Sequence, residues 1–315
     1  MNESRRFRVL LPMAPEEGCR EALPLLKAIF PPAETHVRRL YVSRPLQSEA
    51  FVPEMYADFE EIARIDREAR LAANDLARRN SEPLERAGFA VETDVAEGFP
   101  IAELVREMSA WKADLTVVRA TRSDTREGRL GQLTSALLRQ ATTPLLVHRA
   151  VPEDWRVRRV LIATDFSDAS RASADWGMAI AAAAGAEAHL LYVLARHGTR
   201  HLDSGMLLKA GSDEIARWRS RLTPGFGIPV TDAHVVSAEF PAEGILNFSR
   251  ESDFDLIALA GTGRSVMSGL LLGSNARTVV RDADRPVLLV PAKNQVDPAA
   301  AMTKLRAVAA PPAVA

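Results

Sequence analysis

The sequence predicts an α/β chain built as two doubly wound parallel-sheet domains. Three observations predict it. Short runs rich in Val, Leu and Ile alternate with longer amphipathic stretches, the pattern of a parallel sheet covered by helices on both faces. The second half of the chain repeats the first at a spacing of about 150 residues, close to a common domain size. A glycine turn, Ala260-Gly261-Thr262-Gly263, follows an apolar run and leads through Gly273-Ser274 into a helical stretch. Strand, glycine loop, helix is the order of elements that holds a phosphate.

The repeat is legible residue by residue. Arg8-Val9-Leu10-Leu11-Pro12-Met13-Ala14 matches Arg159-Val160-Leu161-Ile162-Ala163-Thr164-Asp165, and Leu40-Tyr41-Val42 matches Leu191-Tyr192-Val193. Gly98-Phe99-Pro100 corresponds to Glu239-Phe240-Pro241, and Thr143-Pro144-Leu145-Leu146-Val147 to Arg285-Pro286-Val287-Leu288-Leu289. The spacing shortens toward the end, so the second half has the shorter middle. Domains are expected over 1–150 and 157–293, joined by Pro152-Glu153-Asp154-Trp155-Arg156. The Ala-, Pro- and Val-rich residues 294–315 hold few large apolar side chains and are expected to form a disordered tail.

In the second half, strands are expected over 160–164, 188–194, 230–236, 256–260 and 287–290. Helices are expected over 170–184, with Gly185 as C-cap, and over 207–221, 242–252 behind Pro241, and 273–282. The first half follows the same plan, with a longer helix over 55–79 carrying many Glu and Arg residues, and with Cys19 in its first helix. The last strand of each half, 144–148 and 286–291, is apolar. An apolar strand left at a sheet edge invites aggregation unless something covers it.

Composition removes several function classes. There are 40 basic and 41 acidic residues, for a net charge of −1, so no global field favours nucleic acid or an anionic membrane. No run of 18 apolar residues and no apolar segment behind Met1-Asn2-Glu3-Ser4-Arg5-Arg6 is present, which makes a cytoplasmic location the expectation. The lone Cys19 permits no intrachain disulfide. His197 and His201 share helical spacing, but the intervening Gly198-Thr199-Arg200 argues against a helix and hence against a metal pair. No nucleophile elbow, P-loop lysine or zincin motif occurs.

In an open parallel sheet, ligands bind beyond the C-terminal strand ends. Asp165, Val193 and the 260–263 turn all lie at such ends, so three separate segments converge on one crevice. Ser274 sits where an N-cap hydroxyl bonds the helix or a phosphate oxygen. By residue type alone, Asp165 reads equally as a helix cap, a role open also to Ser167 or Asp168.

The duplicated halves, Thr164-Asp165-Phe166-Ser167 after the first strand, Val193 on the second and the late glycine motif resemble the universal stress protein family in its tandem two-domain form. The resemblance covers about residues 5–293 and is strongest in the second half. It implies an adenine nucleotide α-hydrolase-like fold, with the two domains packed as an intrachain pseudo-dimer through their last strands. Nucleotide-binding members carry Gly-x-x-Gly, nine residues, then Gly-Ser or Gly-Thr; this chain offers Gly263, Gly273 and Ser274, with Ala260 in place of the first glycine. The resemblance implies ATP with Mg in the second domain. Ala163, Thr164 and Asp165 would line the adenosine side and the approach to the metal-bound phosphates, with Asp165 as the contact to the nucleotide-bound Mg. Val193 would face adenine. Gly263, Gly273, Ser274 and Asn275 would wrap ribose and phosphates with backbone N–H groups, and Ala260 and Gly261 belong to the same nucleotide-binding set.

The first half departs at each of these positions. Ala14 stands for Asp165, Arg119-Ala120-Thr121-Arg122 for Ala260–Gly263, and Gln132 for Ser274. Arg119, Arg122, Arg126 and Arg129 crowd this loop beside Asp124 and Glu127, so no nucleotide is expected there. No side chain reads as a general base aimed at a γ-phosphate. The resulting expectation is a stress-response or signalling module that binds ATP, hydrolyses it slowly at most, and engages a partner protein or a second copy of itself. Two alternatives remain at this point: an interaction scaffold that binds no nucleotide, and an adenylyl-transferring enzyme of related fold, for which Thr164-Asp165-Phe166-Ser167 supplies no phosphate-handling motif. Glycines at 198, 205 and 211 mark residues 199–212 as a segment expected to be mobile until ATP orders it.

Overall fold

A computed structural model describes residues 6–12, 19–43, 59–120, 131–197, 203–263 and 272–306. The first half runs β1 (Phe7–Pro12), α1 (Leu23–Ile29), β2 (Thr35–Ser43), α2 (Phe59–Arg79), α3 (Glu82–Arg86), β3 (Ala90–Glu97), α4 (Pro100–Ala110), β4 (Leu115–Arg119), α5 (Gln132–Gln140) and β5 (Leu145–His148). The second runs β6 (Arg159–Thr164), α6 (Asp168–Ala184), β7 (Glu187–Ala195), α7 (Ser204–Phe226), β8 (Val230–Ala238), α8 (Pro241–Glu251), β9 (Leu256–Ala260), α9 (Ser274–Asp282) and β10 (Val287–Val290), followed by α10 (Pro298–Arg306).

All ten strands form one sheet in the order β3-β2-β1-β4-β5-β10-β9-β6-β7-β8. Within each half every pair is parallel. The halves meet where β5 and β10 run antiparallel, Val147 opposite Val287 and Leu145 opposite Leu289. Both strands are buried along their whole length. Each edge that would be a hazard in an isolated half is therefore the partner of the other. Two apolar layers cover the sheet. One centres on Phe7, Leu26, Ile162 and Trp176, the other on Leu40, Leu137, Leu161 and Val279. Each layer draws residues from both halves.

Helix α6 shows how the sequence writes its own boundaries. The Ser167 side chain accepts from the N–H of Ser170 at 3.2 Å, and Gly185 closes the helix at φ 66°. A left-handed residue there suits glycine, as the sequence predicts. Gly177 faces the sheet so closely that a β-carbon would lie 2.7 Å from Ile162 Cγ1, which sets the helix deep on β6.

Three expectations are corrected. Residues 294–315 are not wholly a tail: Pro298–Arg306 form α10, which packs on α6. Ala301 is 1% exposed, and the Lys304 ammonium bonds both carboxylate oxygens of Asp114 at 2.8 Å. Arg171 and Asp175 of α6 line a pocket together with Asp297, Pro298, Ala299 and Thr303. Second, residues 204–212, read from their glycines as a segment without regular structure, are the opening turns of α7. The Asp203 carboxylate caps this helix, accepting from Gly205 at 2.8 Å and Met206 at 3.3 Å. Gly211 is there for packing, since a β-carbon would stand 2.9 Å from the Tyr192 ring. Residues 199–202 of that expectation, with Gly198, lie outside the described residues. Third, Cys19 sits in a short 3-10 turn, Cys19–Glu21, not in α1. Its thiol is buried, and burial raises its pKa to about 11, the condition of an unreactive packing residue.

Candidate functional site

β6, β7 and β9 end side by side, and beyond them α8 and α9 close a cavity of about 330 Å³. Its walls include all ten positions singled out in the sequence: Ala163, Thr164, Asp165, Val193, Ala260, Gly261, Gly263, Gly273, Ser274 and Asn275. Sequence reasoning missed Ser170, Tyr192, Pro241 and Ile245, which also line it. Pro241 and Ile245 arrive because Gly244 lets α8 settle on β7. A β-carbon there would meet Val193 Cγ1 at 2.6 Å. A glycine in mid-helix on a buried face was the available signal.

Asp165 is fixed by a short polar cluster. Its Oδ1 accepts the Ser167 backbone N–H at 3.1 Å, the Ser167 hydroxyl at 2.6 Å and the Ser170 hydroxyl. Ser167, not Asp165, is the N-cap of α6. Oδ2 points the other way, toward Gly263. The chain leaves Asp165 through Phe166 at φ 65°, a left-handed conformation that costs a bulky residue energy. Two things hold it there. Thr164 Oγ1 accepts the Phe166 N–H at 3.0 Å, and the ring packs 4.6 Å from Tyr192 and 5.7 Å from Trp218. Asp165 is the one carboxylate among the described residues of the wall.

The glycine loop is closed by backbone alone. The Gly261 N–H bonds Val290 O at 2.7 Å, and the Gly273 N–H bonds Gly261 O at 2.8 Å. Gly273, not Ser274, is the N-cap of α9, and no side chain caps that helix. Helix α9 begins at Ser274, so its first N–H donors and the positive end of its dipole are presented at the cavity wall. An anion accepts bonds there without displacing a side chain.

The matching corner of the first half is built differently. Gly131 caps α5 in nearly the same backbone conformation, φ −51° and ψ 150°. The β4 end, however, carries Arg119, whose Nε pairs with Glu21 Oε2 at 2.7 Å. The counterparts of Asp165 and of the outer glycine, Ala14 and Arg122, lie outside the described residues, as do Arg126 and Arg129. Among the described residues no group of His, Cys, Asp and Glu is arranged to hold a metal ion; His201 falls outside them. No described helix is long and apolar enough to cross a membrane.

The model of the family described as "Universal stress protein family" matches residues 6–149 and again 156–291. A universal stress protein of Methanocaldococcus jannaschii is 30% identical over 142 residues, 42% of this chain and 81% of that protein. The crystal structure of a universal stress protein from Archaeoglobus fulgidus superposes with a TM-score of 0.63 at 20% identity, covering 92% of this chain and 99% of that one. A universal stress protein solved in complex with cAMP matches 42% of this chain and 96% of its own, at 23% identity and a TM-score of 0.36.

Proposed function

Since the chain belongs to the universal stress protein family, we propose that its second half is an adenine-nucleotide module, binding ATP with its Mg in the cavity at the ends of β6, β7 and β9, and that its first half binds none. One observation carries this reading: α9 is capped by Gly273 without any side chain, and its free N–H groups share a wall with a fixed carboxylate and an apolar strand end.

Each part has a chemical assignment. The backbone of Val193 and the apolar surfaces of Leu191, Leu259 and Ile245 take the adenine ring. Ala163, Thr164 and the Ala260–Gly263 turn follow the ribose. Gly273, Ser274 and Asn275 donate to the phosphates. Oδ2 of Asp165, turned from the serine cluster toward Gly263, fits the approach of a phosphate-bound Mg, which would spread the phosphate charge. Ala260 costs little here, because Gly261 makes the close approach: its β-carbon would sit 3.3 Å from Val290 O and from Pro291 Cα.

Among the described residues no histidine lines the cavity, and the inward carboxylate is also the cation's. The described wall therefore offers no further base for activating water, and in this reading the nucleotide acts as a bound signal with slow turnover at most. The module serves a cytoplasmic stress or signalling response. Titration calorimetry of the purified chain with Mg·ATP is the test, and a stoichiometry of one is expected. Absence of heat, with no nucleotide released on denaturing the protein, would leave the scaffold reading in its place.

A further inference from the structure

Arg149 is the first residue after β5 and belongs to the first half, yet its guanidinium ends on the second. Nε donates to Ala283 O at 2.9 Å and Nη2 donates to Arg281 O at 2.6 Å. Arg281 lies in the last turn of α9 and Ala283 is the extended residue that caps it; the other end of the helix is Gly273-Ser274-Asn275. Carbonyls at a helix end have no partner within the helix, and a cation there complements the negative end of the dipole. The planar fork spans two of them at once, a geometry that an ammonium cannot reproduce.

We propose that Arg149 is a positioning residue for the phosphate end of the nucleotide site, acting across the domain boundary through α9; the proposal rests on the nucleotide reading above. Helix α9 has nine residues and is about 13 Å long, a rigid rod with one end at the cavity and the other in the grip of the first half. From within the second half, the carbonyl of Asp282 is bonded by Arg250 at 3.1 Å. Arg149 therefore supplies the part of the clamp that ties the rod to β5. Phosphates at the N-terminus and Arg149 at the C-terminus act on one dipole with the same sign, so each favours the other.

The arrangement runs one way. In the repeat, Pro291 occupies the position equivalent to Arg149, and proline has no side-chain donor. The second half has no equivalent donor at this position for the end of α5. The half that has lost the nucleotide motif is thus the half that holds the other's phosphate helix in place, which gives the first domain a task at the site despite its own Arg119 corner.

The experiment uses the full chain and its Arg149→Met variant, titrated with Mg·ATP and, separately, with adenosine. In the assignment proposed above, adenosine occupies the strand ends and the phosphates alone meet α9. The expected result is ATP binding weakened about fivefold or more, with adenosine binding unchanged. Equal losses for both ligands would mean general loosening of the fold and would overturn the proposal, as would unchanged ATP affinity. If Arg149→Met does not fold, Arg149→Lys keeps the charge but bridges only one carbonyl, and the same ATP-selective loss is expected. A wild-type chain that binds neither ligand would instead refute the nucleotide reading on which the proposal stands, and that outcome requires no variant to recognise.

Discussion

A β-carbon placed on Gly263 would lie 2.7 Å from Oδ2 of Asp165. Two positions nearly a hundred residues apart in sequence thus leave room for each other, and the glycine is what allows the carboxylate to face the cavity. Gly263→Ala is expected to push Asp165 out of its place or open the loop, at a cost of about 1–3 kcal/mol shared between stability and Mg·ATP affinity. Denaturant melts and calorimetry on one preparation separate the two shares. A variant that binds and melts like wild type would show that the carboxylate does not need this space.

Gly273→Asp separates helix capping from phosphate binding. The backbone there, φ −61° and ψ 146°, accepts any residue, and its β-carbon would meet Gly261 O at an ordinary 3.4 Å. Aspartate is a good N-cap, so α9 should gain a few tenths of a kcal/mol. The same carboxylate takes the N–H groups that phosphate needs and repels it, with an expected loss of at least about 2 kcal/mol in ATP binding. Gly131→Asp, at the cap of α5, should leave ATP binding unaltered. Loss through Gly131, or two nucleotides per chain, would defeat the asymmetric reading.

Separating the halves exposes β5 and β10. Fragments ending before or beginning after the 152–156 linker are expected to be insoluble or to self-pair through these strands, because separation leaves an apolar strand holding Leu145 and Leu146, or Leu288 and Leu289, without its neighbour at the sheet edge. Light scattering on each fragment checks this. Two stable, soluble monomers would show that the antiparallel pair contributes little.

His148 is 2% exposed, and its pKa is lowered from its ordinary value of 6.5, first by burial. Its Nδ1 contacts Arg149 O at 2.9 Å, Glu21 opposes the shift, and Arg119 adds to it. The unfolded chain then binds the proton more readily than the folded one. Stability is fully present above pH 6.5 and falls as pH drops below it, with a slope from this group of at most about 1.4 kcal/mol per unit. His148→Leu should flatten that part of the profile between pH 7 and 5. Identical slopes for both proteins would remove His148 from the acid response.

What the sequence determined by itself is local or repeated. The alternation of apolar runs with amphipathic stretches fixed the element types, because side-chain period and strand burial are properties of consecutive residues. Gly185 marked the end of α6, its N-cap staying open among Asp165, Ser167 and Asp168 until the structure placed Ser167 there, and the duplication around Leu40 and Leu191 announced two domains of one plan. Asp165, Val193 and the 260–263 turn were legible because strand ends in a parallel sheet converge by topology; Gly273 and Ser274 came from the glycine-loop-helix order, and Ala163, Thr164 and Asn275 from the family resemblance. The tertiary structure decided the rest. Gly211 and Gly244, which read as flexibility or as nothing, are places where a helix meets Tyr192 or Val193 too closely for a β-carbon. The alanine-rich segment 298–306 became a docked helix through contacts made in space, the packing on α6 and the bond from Lys304 to Asp114. Arg149 reads as one more surface charge until β5 and β10 pair and carry it to the end of α9. Such contacts join residues far apart in the chain, and their free energy depends on distance in space, which a linear pattern does not encode.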